Sequence, residues 1–176
     1  LDLTTIGLVL GVGSGIFGVL GQLTAGFSYD WARRFGPRGP LMVVVIGSVI
    51  HVMAMLVVLL STNLYVTLAA LCFSGATTSL GAGPTTAAIS ELAPPESRGT
   101  SFSLYSVISN VFGAGFGPMF VGMLSDWLGG SEGESLRTAM IAVTLLQLLA
   151  VLAYLRAASA FTKAVGDKAA KIEPTG

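Results

Sequence analysis

The sequence predicts an all-α, polytopic transmembrane bundle of about five spanning helices, and three observations support this fold class. The 176 residues are 53% hydrophobic, with a mean hydropathy of +0.81. Only 10% of them are charged, against about 25% in soluble domains. The uncharged residues also form long runs, such as 39–90 and 99–125. Hydrocarbon rather than water is therefore the expected medium around most of the chain.

The composition also excludes several kinds of site. Nine basic residues balance nine acidic ones, so there is no basic excess for binding nucleic acid. A single cysteine, Cys72, and a single histidine, His51, exclude a disulfide framework and a clustered metal site. We expect no metal and no cofactor. His51 is expected to bond a neighbouring helix, although a titrating role is the alternative.

The spans follow from run length. A spanning helix needs roughly 20 mostly apolar residues, so the run 39–90 holds two spans and breaks at the polar triplet 61–63. The apolar stretch 145–152 does not alternate with polar residues as a barrel strand would. The predicted spans are 4–29, 41–60, 64–90, 99–125 and 138–160, and a cytoplasmic tail is expected at 163–176.

Basic residues are concentrated in three segments, which this topology places on one side of the membrane. The loops 30–40 and 91–98 and the residues after 155 hold eight of the nine basic residues. Because basic loops stay cytoplasmic, we predict an outside N-terminus and a cytoplasmic C-terminus in a plasma (bacterial inner) membrane. The first residue is Leu1 rather than Met, from which we expect the chain to be cut from a longer protein.

Small residues are unevenly distributed among the spans. Gly7, Gly11, Gly15 and Gly18 share one face of the first span, and small residues let membrane helices approach closely. Such a face suits either a static bundle or helices that move against each other. The second and fifth spans are rich in Val, Leu and Met and are expected to be outer helices facing lipid.

Two proline pairs lie inside predicted spans. Gly83-Pro84 is in the third span and Gly117-Pro118 is in the fourth. A proline there removes a backbone donor and predicts a kink, and broken helices mark many transporter sites. The alternative is a tolerated kink without a functional role.

The kinked helices are expected to line a cavity, and the polar residues on them that could form its wall are uncharged. The spans hold no buried Asp, Glu, Lys or Arg of the kind that marks ion pathways. The candidate cavity residues are Ser74, Thr77, Thr78, Ser79, Thr85 and Thr86 of the third span, Asn110 of the fourth, and Ser14 and Gln22 of the first.

Two charged loops form the other candidate site. Asp30 ends the first span, where a negative charge opposes the helix dipole, so Arg33 and Arg34 or the start of the fourth span must offset it. Acidic residues of the 91–98 loop are candidate partners for the arginines, in ion pairs worth about 0–1 kcal/mol each. An ordinary solvated loop is the alternative. The predicted latch residues are Gly26, Asp30, Arg33, Arg34, Arg38, Glu91, Glu96 and Arg98.

These motifs resemble a known family. The pattern Gly26-x-x-x-Asp30-x-x-x-Arg34 resembles the inter-helix signature of the major facilitator superfamily, although Trp31 stands where that signature has a basic residue. The chain also looks like the spinster-like branch of this family, in the stretches 94–104, 113–126 and 135–139 and at Asn110. The resemblance implies helices eight to twelve of a twelve-helix secondary transporter that works by alternating access.

The resemblance also implies partners. These are the lipid bilayer, the N-terminal half of the same transporter and a small-molecule substrate of unknown identity. The neutral candidate cavity favours an amphiphilic or weakly polar solute, unless the other half supplies charges. The alternative is a non-transporting five-span structural or accessory subunit. An enzyme is not expected, because the spans show no acid, base and nucleophile constellation.

Overall fold

The computed structural model describes the backbone of residues 2–172, and the side chains of these residues except those at positions 3, 132 and 167–172. Within this range the fold is all-helical, and five helical spans are long and apolar enough to cross a membrane. The predicted fold class is therefore confirmed. The α-helices are α1 (Leu3–Ala32), α2 (Gly39–Leu60), α3 (Leu64–Leu92), α4 (Arg98–Ile108), α5 (Phe116–Leu128) and α6 (Glu132–Ile172).

The fourth span differs most from its prediction. Instead of one α-helix over 99–125, it consists of α4, a π-helical segment at Ser109–Gly115, and α5. Pro118 lies in the first turn of α5, where its missing N–H leaves the carbonyl four residues earlier without its usual donor. Three glycines also fall within 113–117 and weaken the α-helical form there.

The last helix is longer than predicted. α6 runs to Ile172, so residues 163–172 of the predicted cytoplasmic tail are helical. Residues 173–176 of the predicted tail lie outside the described range. The first three spans lie within two or three residues of their predicted ends.

Local chemistry explains the breaks between helices. At the turn between α2 and α3, Asn63 Oδ1 accepts a hydrogen bond from the Tyr65 N–H at 3.0 Å, which caps α3 at its start. Gly129, which follows α5, has a φ of +61°. That left-handed conformation costs a residue with a Cβ more than glycine, and it ends the helix. The Asn63 cap at the start of α3 confirms the predicted break at 61–63.

α3 is the central helix, packing closely against α1 on one side and α2 on another. α2 packs in turn against α6, and α6 against α5. α1 and α3 approach each other closely at Gly21 of α1, where a Cβ would lie 2.8 Å from the Ala76 Cα. Glycine is therefore required sterically at position 21, because two helix backbones meet there.

The predicted glycine face of α1 is not where this contact occurs. A Cβ added at Gly7, Gly11, Gly15 or Gly18 would meet nothing within 4 Å. That face is open in the described bundle, and the glycines that pack against α3, Gly13 and Gly21, lie elsewhere on the same helix.

The two ends of the bundle are formed by different segments of the chain. At one end, Leu41, Val44, Ala88, Ala158 and Phe161 form a buried cluster. The 30–40 loop, the end of α3 and the later part of α6 meet at this end, so the basic segments lie together as predicted. The other end carries the turn at 61–63 and the start of α6.

Much apolar surface is not covered by the chain itself. Residues 98–128, all of which the structure describes, include no buried residue, and Trp127 is 82% exposed. In water such a surface would be unstable, whereas lipid tails solvate it without penalty.

Candidate functional site

A cavity of about 270 Å³ lies among α2, α3, α4 and α6. Its walls belong to helical spans that are long and apolar enough to cross a membrane. Its polar lining consists of Ser48 and His51 of α2, Thr77, Thr78 and Thr85 of α3, Tyr105 of α4, and Gln147 and Tyr154 of α6.

His51 is held against α3 on one side of this cavity. Its Nδ1 atom lies 3.2 Å from the Thr77 hydroxyl oxygen and 3.2 Å from the Thr78 hydroxyl oxygen. Both hydroxyls also donate to the Ser74 carbonyl oxygen at 2.9 Å. The expectation that His51 bonds a neighbouring helix is confirmed, and the bond fixes the orientation of the ring.

The cavity lining carries no Asp, Glu, Lys or Arg. Burial of a charged group there would cost several kcal/mol without a partner of opposite sign. Hydroxyl, amide and imidazole groups instead offer neutral hydrogen bonds, and Val44 and the tyrosine rings offer apolar contact. The site is therefore suited chemically to uncharged solutes.

Three of the nine predicted cavity residues line this cavity, namely Thr77, Thr78 and Thr85. The other three on α3 donate to carbonyls of their own helix: Ser74 to Leu71, Ser79 to Gly75, and Thr86 to Ala82 and Gly83. They do not line the cavity.

The remaining predictions fall on α1 and the π-helical segment, away from this cavity. Asn110 Nδ2 donates to the Ser106 carbonyl oxygen at 2.8 Å. Gln22 is exposed on α1. Ser14 lies beside α3, where its Cα would be 3.8 Å from a Cβ added at Gly75.

The contribution of α2 and α6 to the cavity was not predicted from the sequence. Ser48, Gln147 and Tyr154 belong to the two spans that were expected to face lipid as outer helices. In the structure α2 packs between α3 and α6, so each of these helices has one face on the cavity. A polar residue inside an otherwise apolar span, such as Gln147, was the available signal.

The predicted kinks lie in different settings. Pro84 is almost completely buried, yet α3 continues without interruption through it to Leu92. A Cβ added at Gly83 would lie 3.6 Å from the Ala25 Cβ of α1. Gly117 and Pro118 follow the π-helical segment directly, where regular α-helical bonding is interrupted. A bend at either pair remains a prediction.

At the basic end of the bundle, the end of α1 meets the end of α3 through Tyr29. The Tyr29 hydroxyl donates to Glu91 Oε2 at 3.5 Å, and the Arg33 guanidinium carbon lies 5.8 Å from the centre of the Tyr29 ring. Arg33 and Glu91 also line one pocket of about 220 Å³, together with Pro40 and Phe161. Tyr29 thus contacts both Glu91 and Arg33.

The other latch residues are arranged less directly. Arg38 Nε donates to Thr162 Oγ1 of α6 at 3.3 Å, so this arginine contacts a helix that the sequence analysis did not assign to the latch. The side chains of Glu96 and Arg98 make no hydrogen bond or ion pair with other described residues. The remaining exposed members are Gly26 and Asp30 on α1 and Arg34 in the 3-10 turn after it.

No three His, Cys, Asp or Glu side chains among the described residues lie close enough to hold a metal ion together. The fold and the cavity define a polytopic helical membrane protein with a neutral, polar cavity among its helices.

The chain belongs to the Major Facilitator Superfamily, whose family model matches residues 1–174. It is similar to a protein described as an MFS-type efflux pump of Mycolicibacterium smegmatis, with 29% identity over 171 residues. That alignment covers 96% of this chain and 40% of the relative, so the chain spans well under half of the relative's length.

Proposed function

We propose that the chain is the C-terminal part of a secondary transporter that moves a small amphiphilic or weakly polar organic solute by alternating access. The single observation that carries the proposal is a neutral polar cavity within the spans of a Major Facilitator Superfamily chain. The similarity to a longer protein described as an efflux pump supports export as the direction.

The proposed position within the transporter is helices eight to twelve, in the spinster-like branch. The motifs at 94–104 and 113–126 support both assignments. The N-terminal half of the same protein would then be the main partner, together with the lipid bilayer. On its own, the 176-residue chain is expected not to transport, because alternating access needs two halves that move about a central site.

The proposed orientation has the N-terminus outside and the C-terminus in the cytoplasm of a bacterial inner membrane. Its support is the grouping of the basic segments at one end of the bundle, since basic loops stay cytoplasmic. The latch residues then lie at the cytoplasmic end, where their contacts would open and re-form as the transporter changes state. Exposed charge contacts worth about 0–1 kcal/mol each suit such a reversible closure.

Transport is tested with the complete coding sequence in inverted bacterial membrane vesicles, using the neutral fluorescent amphiphile N-phenyl-1-naphthylamine. Energised vesicles with the transporter should accumulate the probe above vesicles with an empty vector. Equal accumulation in both preparations would contradict the proposal, and it would favour the accessory-subunit alternative.

Two adjacent threonines of α3 provide a matched comparison for the cavity. Both hydroxyls donate to carbonyls of their own helix, but only Thr85 lines the cavity. Thr85→Val should raise the KM for the probe severalfold, because it removes a hydroxyl from the cavity wall, and Thr86→Val should leave KM unchanged. The reverse pattern would place the solute path on another face of α3.

A further inference from the structure

The hydrogen bonds around His51 determine which of its two nitrogens is free to accept. Thr77 and Thr78 each have one hydroxyl hydrogen, and each donates it to the Ser74 carbonyl oxygen at 2.9 Å. With both hydroxyl hydrogens assigned to the Ser74 carbonyl oxygen, the two threonine oxygens accept from the ring, and Nδ1, 3.2 Å from both, is assigned the hydrogen. In a neutral imidazole, Nε2 then has a lone pair and no hydrogen.

Nε2 is left without a partner by the described residues, and the His51 ring lines the cavity. The side-chain polar groups of Ser48, Gln147 and Tyr154 also make no hydrogen bond with other described residues, and they line the same space. These four residues are half-buried, and no buried side-chain nitrogen or oxygen among the described residues lacks a partner, so their polar groups are accessible from the cavity and can bond a ligand or water there.

The size and charge of the cavity limit which molecule can complete these hydrogen bonds. A volume of about 270 Å³ equals roughly nine water molecules at about 30 Å³ each, so the occupant is one small molecule or one end of a larger one. The lining has no charged group to compensate an ionic occupant. Tyr105, Tyr154 and Val44 provide apolar and aromatic contact for a carbon skeleton.

We infer that this cavity binds an uncharged organic solute whose O–H or N–H group donates a hydrogen bond to His51 Nε2 and whose body is apolar, as in a small phenol. The inference rests on the proposed function, because it names the solute class of the transporter's cavity. The hydrogen-bond donor on the solute is the feature that the cavity selects.

Binding is tested on the 176-residue chain in lipid nanodiscs, with empty nanodiscs subtracted to remove partition into lipid. The probes are 4-ethylphenol, its methyl ether 4-ethylanisole, which has no donor, and the anion 4-ethylbenzoate. 4-Ethylphenol should bind about tenfold more tightly than the ether, and the anion should bind more weakly than both. Equal affinities for the phenol and the ether, or a preference for the anion, would overturn the inference.

Because His51 is the only histidine of the chain, its nitrogens can be observed directly by ¹⁵N NMR after histidine-specific labelling. Nε2 should be the nitrogen without hydrogen, and its resonance should move on addition of 4-ethylphenol but not of 4-ethylanisole. A hydrogen on Nε2, or a resonance that does not respond to the phenol, would contradict the assignment. This measurement uses the unmodified chain, so it does not depend on the folding of a variant.

A pair of substitutions completes the test. His51→Phe keeps an aromatic ring but removes both nitrogens, and it should abolish the preference for the phenol over the ether. Ser79→Ala is the control, because Ser79 bonds only the Gly75 carbonyl and does not line the cavity. It should leave the preference intact, and loss of the preference in Ser79→Ala would overturn the role given to His51.

The two proposals fail in different ways. If the complete protein exports its probe but the phenol and the ether bind alike, this inference alone is wrong. If the phenol preference is present and the complete protein moves no solute, the transport function is wrong and the binding specificity stands.

Discussion

Arg137 Nε donates a hydrogen bond to the main-chain carbonyl oxygen of Leu59 and so joins the start of α6 to the last turn of α2. The last carbonyls of a helix have no partner within it, and a positive side chain at that end also interacts favourably with the helix dipole. This contact lies at the opposite end of the bundle from the other eight basic residues.

Removal of this contact should destabilise the bundle. Arg137→Met keeps an apolar stem but leaves the Leu59 carbonyl without its donor, and we expect a loss of about 1 kcal/mol. The measurement is thermal unfolding in detergent, followed by helical circular dichroism. Arg156→Met is the control, because Arg156 is exposed on the same helix and makes no hydrogen bond with the described residues. An equal loss in both variants would mean that charge, and not this bond, matters.

The close approach of α1 and α3 predicts a different effect for two glycine substitutions on the same helix. Gly21→Ala should destabilise by about 1–3 kcal/mol, because the new methyl group would collide with the backbone at Ala76. Gly15→Ala should be neutral or stabilising by up to about 1 kcal/mol, since nothing lies within 4 Å and alanine favours the helix. Unfolding titrations in mixed micelles compare them. A stable Gly21→Ala variant would show that the two backbones are further apart.

The proposed orientation can be tested by labelling cysteines at the two ends of α2. In a Cys72→Ala background, Thr62→Cys should react with a membrane-impermeant maleimide on intact cells, because the turn at 61–63 is predicted to lie outside. Arg34→Cys should react only after permeabilisation, because basic loops stay cytoplasmic. Labelling of both positions from one compartment would contradict the five-span topology.

The contact between Tyr29 and Glu91 predicts a modest coupling. A double-mutant cycle of Tyr29→Phe with Glu91→Gln should give an interaction free energy of about 0.5–1 kcal/mol, as expected for one partly exposed hydrogen bond. Tyr65→Phe is the control, because Tyr65 is exposed at the far end of α3. Its effect should add to that of Glu91→Gln within about 0.5 kcal/mol. Additive effects for Tyr29→Phe would remove this contact from the latch.

The number of spans and the approximate boundaries of the first three were predictable from the sequence, because the medium acts on each segment separately. A run of about 20 residues without charge is driven into lipid whatever its neighbours are. The break at 61–63 and the grouping of the arginines at one end follow from the same local rule. The division of the fourth span at Ser109–Gly115 was only hinted at by Gly117 and Pro118.

The site depended on how the helices pack, and the tertiary structure alone decided that. Every span is apolar on most of its faces, so periodicity does not say which face meets lipid and which meets another helix. For this reason Gln147 and Tyr154 were missed, and the open face of Gly7 and Gly11 was expected to pack. The composition of this chain determined that it resides in the membrane, whereas the packing of α2 between α3 and α6 determined where its polar cavity lies.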